Sequence, residues 1–299
     1  MRGFFAVTDP DWLSTLAAGG ASEVNFWQPR PTKVRDVEGT PWIFKLRGSD
    51  RVAGYGFFSY WTEMPLMIAW ETFGVANGVA SMAEMGRRVR ALRRDDGRDD
   101  RVGCVVLSGV TILPPELRPA APADFQSNTV RGAGFDLTLG DPKRAWDQLL
   151  ALSAPTPFAS PIISVPGGYH DPAFAKARRG QGAFRLMVMD SYDRRCAITG
   201  ERTLPVLEAA HIKPFAGEQT HEVANGKLMR SDLHRLYDRG LVTVDEHLTF
   251  HVSSSIERDY SNGKIYYALE GRTIATPDRQ SAKPNVDALA WHSREIFRP

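Results

Sequence analysis

One segment in the second half of the chain limits the fold more than any other, because signals for a strand, a turn and a capped helix follow one another in it. Val206–Ala210 has the apolar character of a strand, and Asn225-Gly226 is a dipeptide typical of hairpin turns. Ser231 is a suitable N-cap for a helix over Asp232–Asp238, and Gly240 stands where a glycine C-cap belongs. The pattern predicts a strand, a loop, a second strand and a helix, which is a ββα unit.

The same segment carries side chains that suit metal and proton chemistry. His234 and Asp238 are four residues apart on the predicted helix, so both project from one face and can share a metal ion. His211 ends the preceding strand, where its imidazole can face that ion and accept a proton near neutral pH. The side-chain amide of Asn225 can tie the intervening loop together. We expect His211 to be a base, His234 and Asp238 to be ligands, and Asn225 to be a support.

These residues carry a resemblance to a known family. Leu207–Ile212, Asn225-Gly226 and Leu228–Asp238 resemble the three ordered motifs of the HNH endonucleases, the ββα-metal nucleases, with gaps of 14 residues from His211 to Asn225 and 9 from Asn225 to His234. The segments that lead into them are similar to those of restriction-type HNH domains: Arg179–Gln181, Phe184-Arg185, Tyr192 and Cys196–Gly200. The resemblance covers Gln181 to Ser254. It implies hydrolysis of DNA phosphodiester bonds with a divalent ion, Mg²⁺ or Mn²⁺.

Two positions depart from the family pattern. Many HNH enzymes have an Asp or His ligand immediately before the base, and that position is Ala210 in this chain. Glu208 lies two residues earlier on the same face of the strand and can reach the metal, or water can fill the gap. Cys196 has no neighbouring cysteine, and the other cysteine, Cys104, lies in the other half of the chain. We therefore expect no structural zinc.

Basic residues beside the motifs are candidates for phosphate contacts. Lys213, Arg230 and Arg235 flank the predicted site and could hold DNA phosphates, although arginines on a short helix are often only solvated. The other histidines are expected to be surface or hydrogen-bonded residues: His170, His221, His247, His251 and His292.

The length of 299 residues and one proline and glycine cluster, Pro155–Gly168, predict two domains. We place a first domain at 1–157, a linker at 158–170 and a nuclease domain at 171–299. The net charge of +2 excludes a globally basic surface, so that any footprint on nucleic acid has to be local. No apolar run reaches the roughly 20 residues of a membrane span, and the N-terminus lacks an export signal, so we expect a cytoplasmic protein with no membrane contact.

The first half alternates strand-like and helix-like segments. Strands are predicted at Glu23–Trp27, Pro41–Leu46, Arg51–Trp61 and Val102–Leu113, and helices at Pro65–Phe73 and Ser81–Arg94. The order of the strands and the placement of aromatic residues resemble the PUA, EVE and SRA barrels, which commonly read modified or flipped bases. The resemblance implies a base pocket, for which Trp27, Tyr55 and Trp61 are candidate walls; each could instead fill the core.

The predicted fold class is α+β, with a PUA/SRA-like N-terminal β-barrel with helices, a proline-rich linker and a C-terminal ββα-metal HNH domain. A base reader joined to an HNH nuclease resembles the modification-dependent restriction endonucleases, which implies double-stranded DNA with methylated or hydroxymethylated cytosine as the partner, base flipping, and a homodimer. Two alternatives stay open. One is an HNH nuclease without modification preference, such as a nicking enzyme or toxin, and the other is a DNA-binding protein whose HNH unit is inactive because of Ala210.

Overall fold

Two units make up the part of the chain that the structure describes. The structure is a computed structural model, and it describes residues 1–93, 100–126, 128–153, 180–214 and 221–299. These residues divide into Met1–Gly182 and Ala183–Pro299. The predicted linker, 158–170, and His170 lie outside the described residues. None of the helices in the described ranges is long and apolar enough to cross a membrane.

A six-stranded mixed sheet is the centre of the first unit. Its strand order is β2-β5-β4-β3-β1-β6, where β1 pairs with β3 in parallel and the other neighbours are antiparallel. The longest strand, β4, bonds to β3 near its start and to β5 along most of its length, with bulges that bend it. The strands are β1 (Arg2–Thr8), β2 (Glu23–Gln28), β3 (Pro41–Leu46), β4 (Val52–Pro65), β5 (Arg101–Ile112) and β6 (Gly132–Asp136).

In the described part of the unit, four helices accompany these strands, three between strands and one after the last strand. The first begins after Asp9, whose carboxylate accepts a hydrogen bond from the backbone N–H of Asp11, and proline occupies the first helical position. It ends before Gly20, which adopts the left-handed conformation at φ 60°. The helices are α1 (Pro10–Gly19), α2 (Leu66–Phe73), α3 (Met82–Arg93) and α4 (Gly140–Ser153).

Alternation along β3 shows that the sheet is buried on both faces. Trp42 and Phe44 belong to a cluster that includes Trp12 of α1, whereas Ile43 belongs to a second cluster with Trp146 of α4. Successive side chains of a strand point to opposite faces, so the two clusters cover opposite sides of the sheet. Together with the ββα unit below, this architecture confirms the predicted α+β class.

The four strands predicted in the first half are present, and their ends differ most at β4, which continues to Pro65 instead of stopping at Trp61. Strands β1 and β6 and helices α1 and α4 are not among the predicted elements. Strand β1 packs on both faces, so Phe4 to Val7 form an apolar run without alternation. Such a run has no period of two residues that would mark it as a strand.

The second unit is built around the ββα segment. Strands β7 (Leu207–His211) and β8 (Gly226–Arg230) pair antiparallel, with His211 opposite Gly226 and Leu207 opposite Arg230, and the helix follows β8 directly. A second hairpin and short helices complete the unit. The remaining elements are α5 (Gln181–Ser191), α6 (Ser231–Asp238), β9 (Val242–Val244), β10 (Phe250–Val252), α7 (Ser255–Tyr260), α8 (Lys264–Tyr267) and α9 (Val286–Glu295).

The sequence predicts a hairpin turn, a helix N-cap and a helix C-cap in this segment, and two of the three differ in the structure. Asn225 closes a short 3₁₀ turn, Val223–Asn225, and Gly226 is extended at φ −122°, so that Asn225-Gly226 is not a two-residue hairpin turn. Ser231 is the first helical residue and makes no side-chain cap. Gly240 does end the helix in the left-handed conformation, φ 69°, and a Cβ there would lie 2.0 Å from the carbonyl oxygen of Ile296. Only glycine fits this position.

Candidate HNH active site

His211 lies at the end of β7, half-buried against an aromatic ring. Its imidazole stacks on Phe184 of α5, with ring centroids 4.2 Å apart and planes inclined by 5°. Its Nε2 lies 3.3 Å from Nδ1 of His221. Burial, and then the charges of His221 and His234, lower the pKa of His211 to about 4. The side chain is therefore neutral at neutral pH and able to take up a proton.

Asn225 joins the segment after β7 to the start of β8. Its side-chain oxygen accepts from the backbone N–H of Lys213 at 3.0 Å, and its Nδ2 donates to the carbonyl oxygen of Lys213 at 3.0 Å. The carbonyl of Asn225 also accepts from the backbone N–H of Ile212 at 2.8 Å. These bonds hold the backbone next to His211 from both sides. A supporting role for Asn225 is consistent with this position.

His234 stands between two carboxylates. Its Nδ1 lies 2.7 Å from Oε2 of Glu208 on β7, and its Nε2 lies 3.4 Å from Oδ2 of Asp238, one helical turn away. Glu208 pairs with Met229 of β8, and the helix begins two residues after Met229, so the hairpin and the helix bring the three side chains together. His234 is also close enough to His211 for its charge to lower the pKa of His211.

The imidazole nitrogen of His234 and the carboxylate oxygen of Asp238 are both atoms that can bind a divalent cation. Two ligand atoms bound to such an ion at about 2.1 Å and at right angles lie about 3 Å apart, close to the 3.4 Å between Nε2 and Oδ2. Within the described ranges, no group of three or more His, Cys, Asp or Glu side chains is placed to hold a metal by itself. A site with two protein ligands resembles magnesium sites, in which water and phosphate oxygens complete the coordination.

The family comparison covers this geometry. The model of the HNH endonuclease family, HNH_2, matches residues 196–245, which include β7, β8 and α6. Residues 196–245 form an HNH endonuclease domain. The domain supports nuclease activity for the second unit.

Comparison with solved structures gives a more distant likeness. ASCH from Zymomonas mobilis shares 12% identity, covers 50% of this chain and 96% of that chain, and has a TM-score of 0.32. Two single-substitution variants of that protein share 12% and 13% identity over 50% of this chain and 99% and 96% of theirs, with TM-scores of 0.31 and 0.32. No curated protein matches the chain.

Beneath the HNH site lies a stack that the sequence reasoning missed. Lys227 of β8 is fully buried, with Nζ 3.6 Å from the centre of the Tyr237 ring, and His292 of α9 stacks on Tyr237 at 3.5 Å and 8°. Both approach the ring too closely to share one face, so they occupy opposite faces. The Nε2–H of His292 donates to the carbonyl oxygen of Tyr237 at 3.1 Å, and its Nδ1 lies 2.9 Å from Oγ1 of Thr243. No local pattern marks a lysine in an apolar strand as buried.

Lys227 gives the first stability prediction. Its amine has no hydrogen-bond partner among the described residues, and burial holds its pKa far below the usual value, with the Asp238 carboxylate opposing the shift. Replacing Lys227 with methionine should raise the free energy of unfolding at pH 7 by about 1–3 kcal/mol, the cost of an unsatisfied buried polar group. Between the lowered pKa of the folded state and the unfolded value of about 10.4, the unfolded state binds more protons at this lysine than the folded state. Wild-type stability therefore rises with pH in that interval, and the advantage of methionine shrinks toward pH 10.

Urea unfolding of Lys227→Met and wild type at pH 7 and pH 10 measures both effects. Lys283→Met, at an exposed position, is the control and should change little. A methionine variant that is less stable than wild type at pH 7 would contradict the prediction.

The three basic candidates for DNA contact have different surroundings. Arg230 is held by Asp232, with Nε 3.0 Å from Oδ1, and Nζ of Lys213 lies 5.0 Å from the centre of the Trp291 ring. Arg235 is exposed on α6. Of the three, Arg235 is the one that is exposed to solvent.

The three aromatic candidates of the first unit do not share a pocket. Tyr55 is buried in the core cluster with Trp146, 5.1 Å between ring centroids, whereas Trp61 packs beside the cluster on the opposite face of the sheet. Trp27 is half-buried and donates its indole N–H to the carbonyl oxygen of Asn77 at 2.9 Å, and Trp61 donates to Gln28 at 3.2 Å. Tyr55 therefore fills the core.

Proposed function

We propose that the HNH domain hydrolyses DNA phosphodiester bonds with the help of a divalent ion, Mg²⁺ or Mn²⁺. The observation that carries the proposal is the arrangement of His234 between Glu208 and Asp238 on the helix that follows the His211 hairpin. A neutral base and a pair of metal ligands in one ββα unit are the groups that this hydrolysis requires.

Each side chain has one part in this mechanism. His211 removes a proton from the attacking water, and Asn225 keeps the backbone beside it in place. His234 and Asp238 hold the ion, which when bound neutralises charge that develops on the phosphate and the leaving oxygen. Glu208 accepts the Nδ1–H of His234, as carboxylates commonly do behind a metal-binding imidazole. Water then fills the coordination position that many HNH enzymes fill with the residue before the base, here Ala210. Arg235 contacts a phosphate of the DNA. Lys213 does so after its ammonium group leaves the Trp291 ring, and Arg230 after its ion pair with Asp232 breaks.

Incubating supercoiled plasmid with the full chain tests the proposal. We expect cleavage with Mg²⁺ or Mn²⁺ and none with EDTA. Metal-independent cleavage would contradict the ion's role. Intact plasmid with either ion, at protein concentrations that bind DNA, would support the alternative of a DNA-binding protein with an inactive HNH unit.

The finer proposal is that the chain restricts DNA with modified cytosine, with the first unit as the base reader. Flipping a base out of the duplex costs a few kcal/mol, which an aromatic pocket returns by stacking and hydrogen bonds. Trp27 and Trp61 are half-buried and have their indole N–H groups fixed, so either can offer a ring face without a large entropy cost. A nuclease without modification preference remains the alternative, and the position of Tyr55 in the core favours it.

Binding of the full chain to modified DNA decides between these. In the His211→Ala variant, which should bind without cutting, a duplex with methylated or hydroxymethylated cytosine should bind about 5- to 150-fold more tightly than a plain duplex, equivalent to about 1–3 kcal/mol. The three titrations need one fixed salt concentration, because phosphate contacts alone shift the affinity with salt. Trp27→Leu should remove the preference, and Val75→Leu, at an exposed position, should keep it. Equal affinity for all three duplexes would remove the proposed reader.

We also propose that the protein acts as a homodimer on double-stranded DNA. One HNH domain has one site and cuts one strand, so a double-strand break requires two chains, which in soluble oligomers are commonly related by a twofold axis. Linear plasmid as an early product, with a rate that rises with the square of protein concentration, is the expected result. Nicked circles as the final product would indicate a nicking enzyme.

A further inference from the structure

His221 lies beside the proposed base, although no motif points to it. It is 8% exposed, and its ring lies 5.4 Å from that of His211 and 5.6 Å from that of Phe184, measured between centroids. Its Nδ1 and the Nε2 of His211 are 3.3 Å apart. The sequence predicts a surface or hydrogen-bonded residue here, and the structure places His221 in a hydrogen bond to the proposed base.

A hydrogen bond between two imidazole nitrogens has one proton between them, so it links the tautomers of both rings. If Nε2 of His211 carries the proton and His221 accepts it, the lone pair of His211 is at Nδ1. If Nδ1 of His221 carries the proton, the lone pair of His211 at Nε2 is used for this bond and its Nδ1 carries a hydrogen. The first arrangement places the lone pair of His211 at Nδ1, and the second places it at Nε2, in the bond to His221.

We propose that His221 is a positioning residue, which accepts the Nε2–H of His211 and thereby holds the lone pair of His211 at Nδ1, ready for the attacking water. This inference rests on the proposed function. The nearly parallel stack on Phe184 fixes the plane of the His211 ring, and the bond to His221 fixes its rotation within that plane. Two independent contacts therefore set the direction of Nδ1.

The proton balance is simple. As the water oxygen bonds to phosphorus, its proton moves to Nδ1 of His211. The bond from phosphorus to the leaving oxygen breaks, and the leaving oxygen keeps the electron pair and then takes a proton from solvent. His211 is then an imidazolium with N–H groups at both nitrogens, and its Nε2–H still donates to Nδ1 of His221. His221 gains no proton. Its part parallels that of the acidic residue that orients histidine in a catalytic triad, with a neutral acceptor in place of a charged one.

Three substitutions separate positioning from simple packing. His221→Asn keeps an acceptor oxygen at the place of Nδ1, His221→Gln moves its amide further from the backbone, and His221→Asp puts a carboxylate at the place of Nδ1. We expect His221→Gln to lower the single-turnover cleavage rate roughly 10- to 100-fold, as loss of a residue that orients an active-site group does, with unchanged affinity for DNA. His221→Asn should retain most of the rate.

His221→Asp provides a readout that packing would not move. A carboxylate next to Nε2–H stabilises the imidazolium form of His211, so the acid limb of the pH–rate profile should move to higher pH by roughly one unit or more. A cleavage rate for His221→Gln equal to that of wild type, or an unshifted profile for His221→Asp, would overturn the inference and leave the nuclease proposal in place.

The tautomer can be measured without any cleavage assay. Nitrogen NMR of the full chain with isotope-labelled histidine distinguishes protonated from unprotonated ring nitrogens, and His211→Ala assigns the signals. We expect His211 with Nε2 protonated in the wild type, and a loss of this preference in His221→Gln. A wild-type His211 with Nδ1 protonated would overturn the inference, whatever the nuclease assay shows.

Discussion

Replacing His211 with alanine is expected to slow plasmid cleavage by roughly 10²- to 10⁴-fold, the usual contribution of a positioned general base. Burial and the neighbouring histidines keep the pKa of His211 at about 4, so the wild-type residue is neutral across the neutral range and the loss should be similar at pH 7 and pH 8. Single-turnover cleavage of supercoiled plasmid with Mn²⁺ in excess measures the effect on the chemical step.

The control for this substitution is His247→Ala. His247 is an exposed histidine of the same unit, outside the site, and its removal should leave the rate unchanged. Circular dichroism and DNA affinity of His211→Ala should match those of wild type, since the variant loses only the ring that stacks on Phe184. Cleavage by His211→Ala within a few-fold of the wild-type rate would exclude His211 as the base.

Replacing His234 with alanine is expected to abolish metal-dependent cleavage, because His234 is one of the two proposed protein ligands of the ion. The substitution also leaves Glu208 without the imidazole that it orients. Asp238→Asn should weaken the site in the same direction. Calorimetric titration of the full-length variants with Mn²⁺ measures the affinity directly, and cleavage at saturating Mn²⁺ separates loss of binding from loss of chemistry.

Glu208→Gln is the informative companion to His234→Ala. If Glu208 orients His234 through its Nδ1, glutamine keeps an acceptor oxygen and metal affinity should fall by only about 10- to 100-fold. If Glu208 is itself a ligand, the affinity should fall as far as in His234→Ala. Glu246→Gln, at an exposed position, is the matched control. Unchanged Mn²⁺ affinity in His234→Ala would remove the metal site from this helix.

The sequence predicts the parts of the site that depend on local spacing. His234 and Asp238 meet because residues four apart share a helix face, and Glu208 is within reach because the hairpin and the helix are contiguous. Gly240 ends the helix as its backbone preference requires. The roles of these side chains remain proposals.

The other parts depend on contacts between distant positions, for which the sequence has no local signal. His221 lies 3.3 Å from His211 between ring nitrogens, and no local pattern in the sequence marks this contact. Lys227 occupies an apolar strand, and only the packing of Tyr237 and His292 decides that its amine is buried. From the sequence, Tyr55 can either line a pocket or fill the core. In the structure it lies in the core, because it packs against Trp146 of helix α4.

Tyr237 connects the two halves of the HNH site. Its hydroxyl donates to the carbonyl oxygen of Ile212, the residue after His211, at 3.3 Å, and it immediately precedes Asp238 in α6. Fraying of the last helical turn would therefore disturb the end of the strand that carries the proposed base and the proposed metal ligand Asp238 together. In terms of local unfolding, this bond couples the two proposed groups within one cooperative unit.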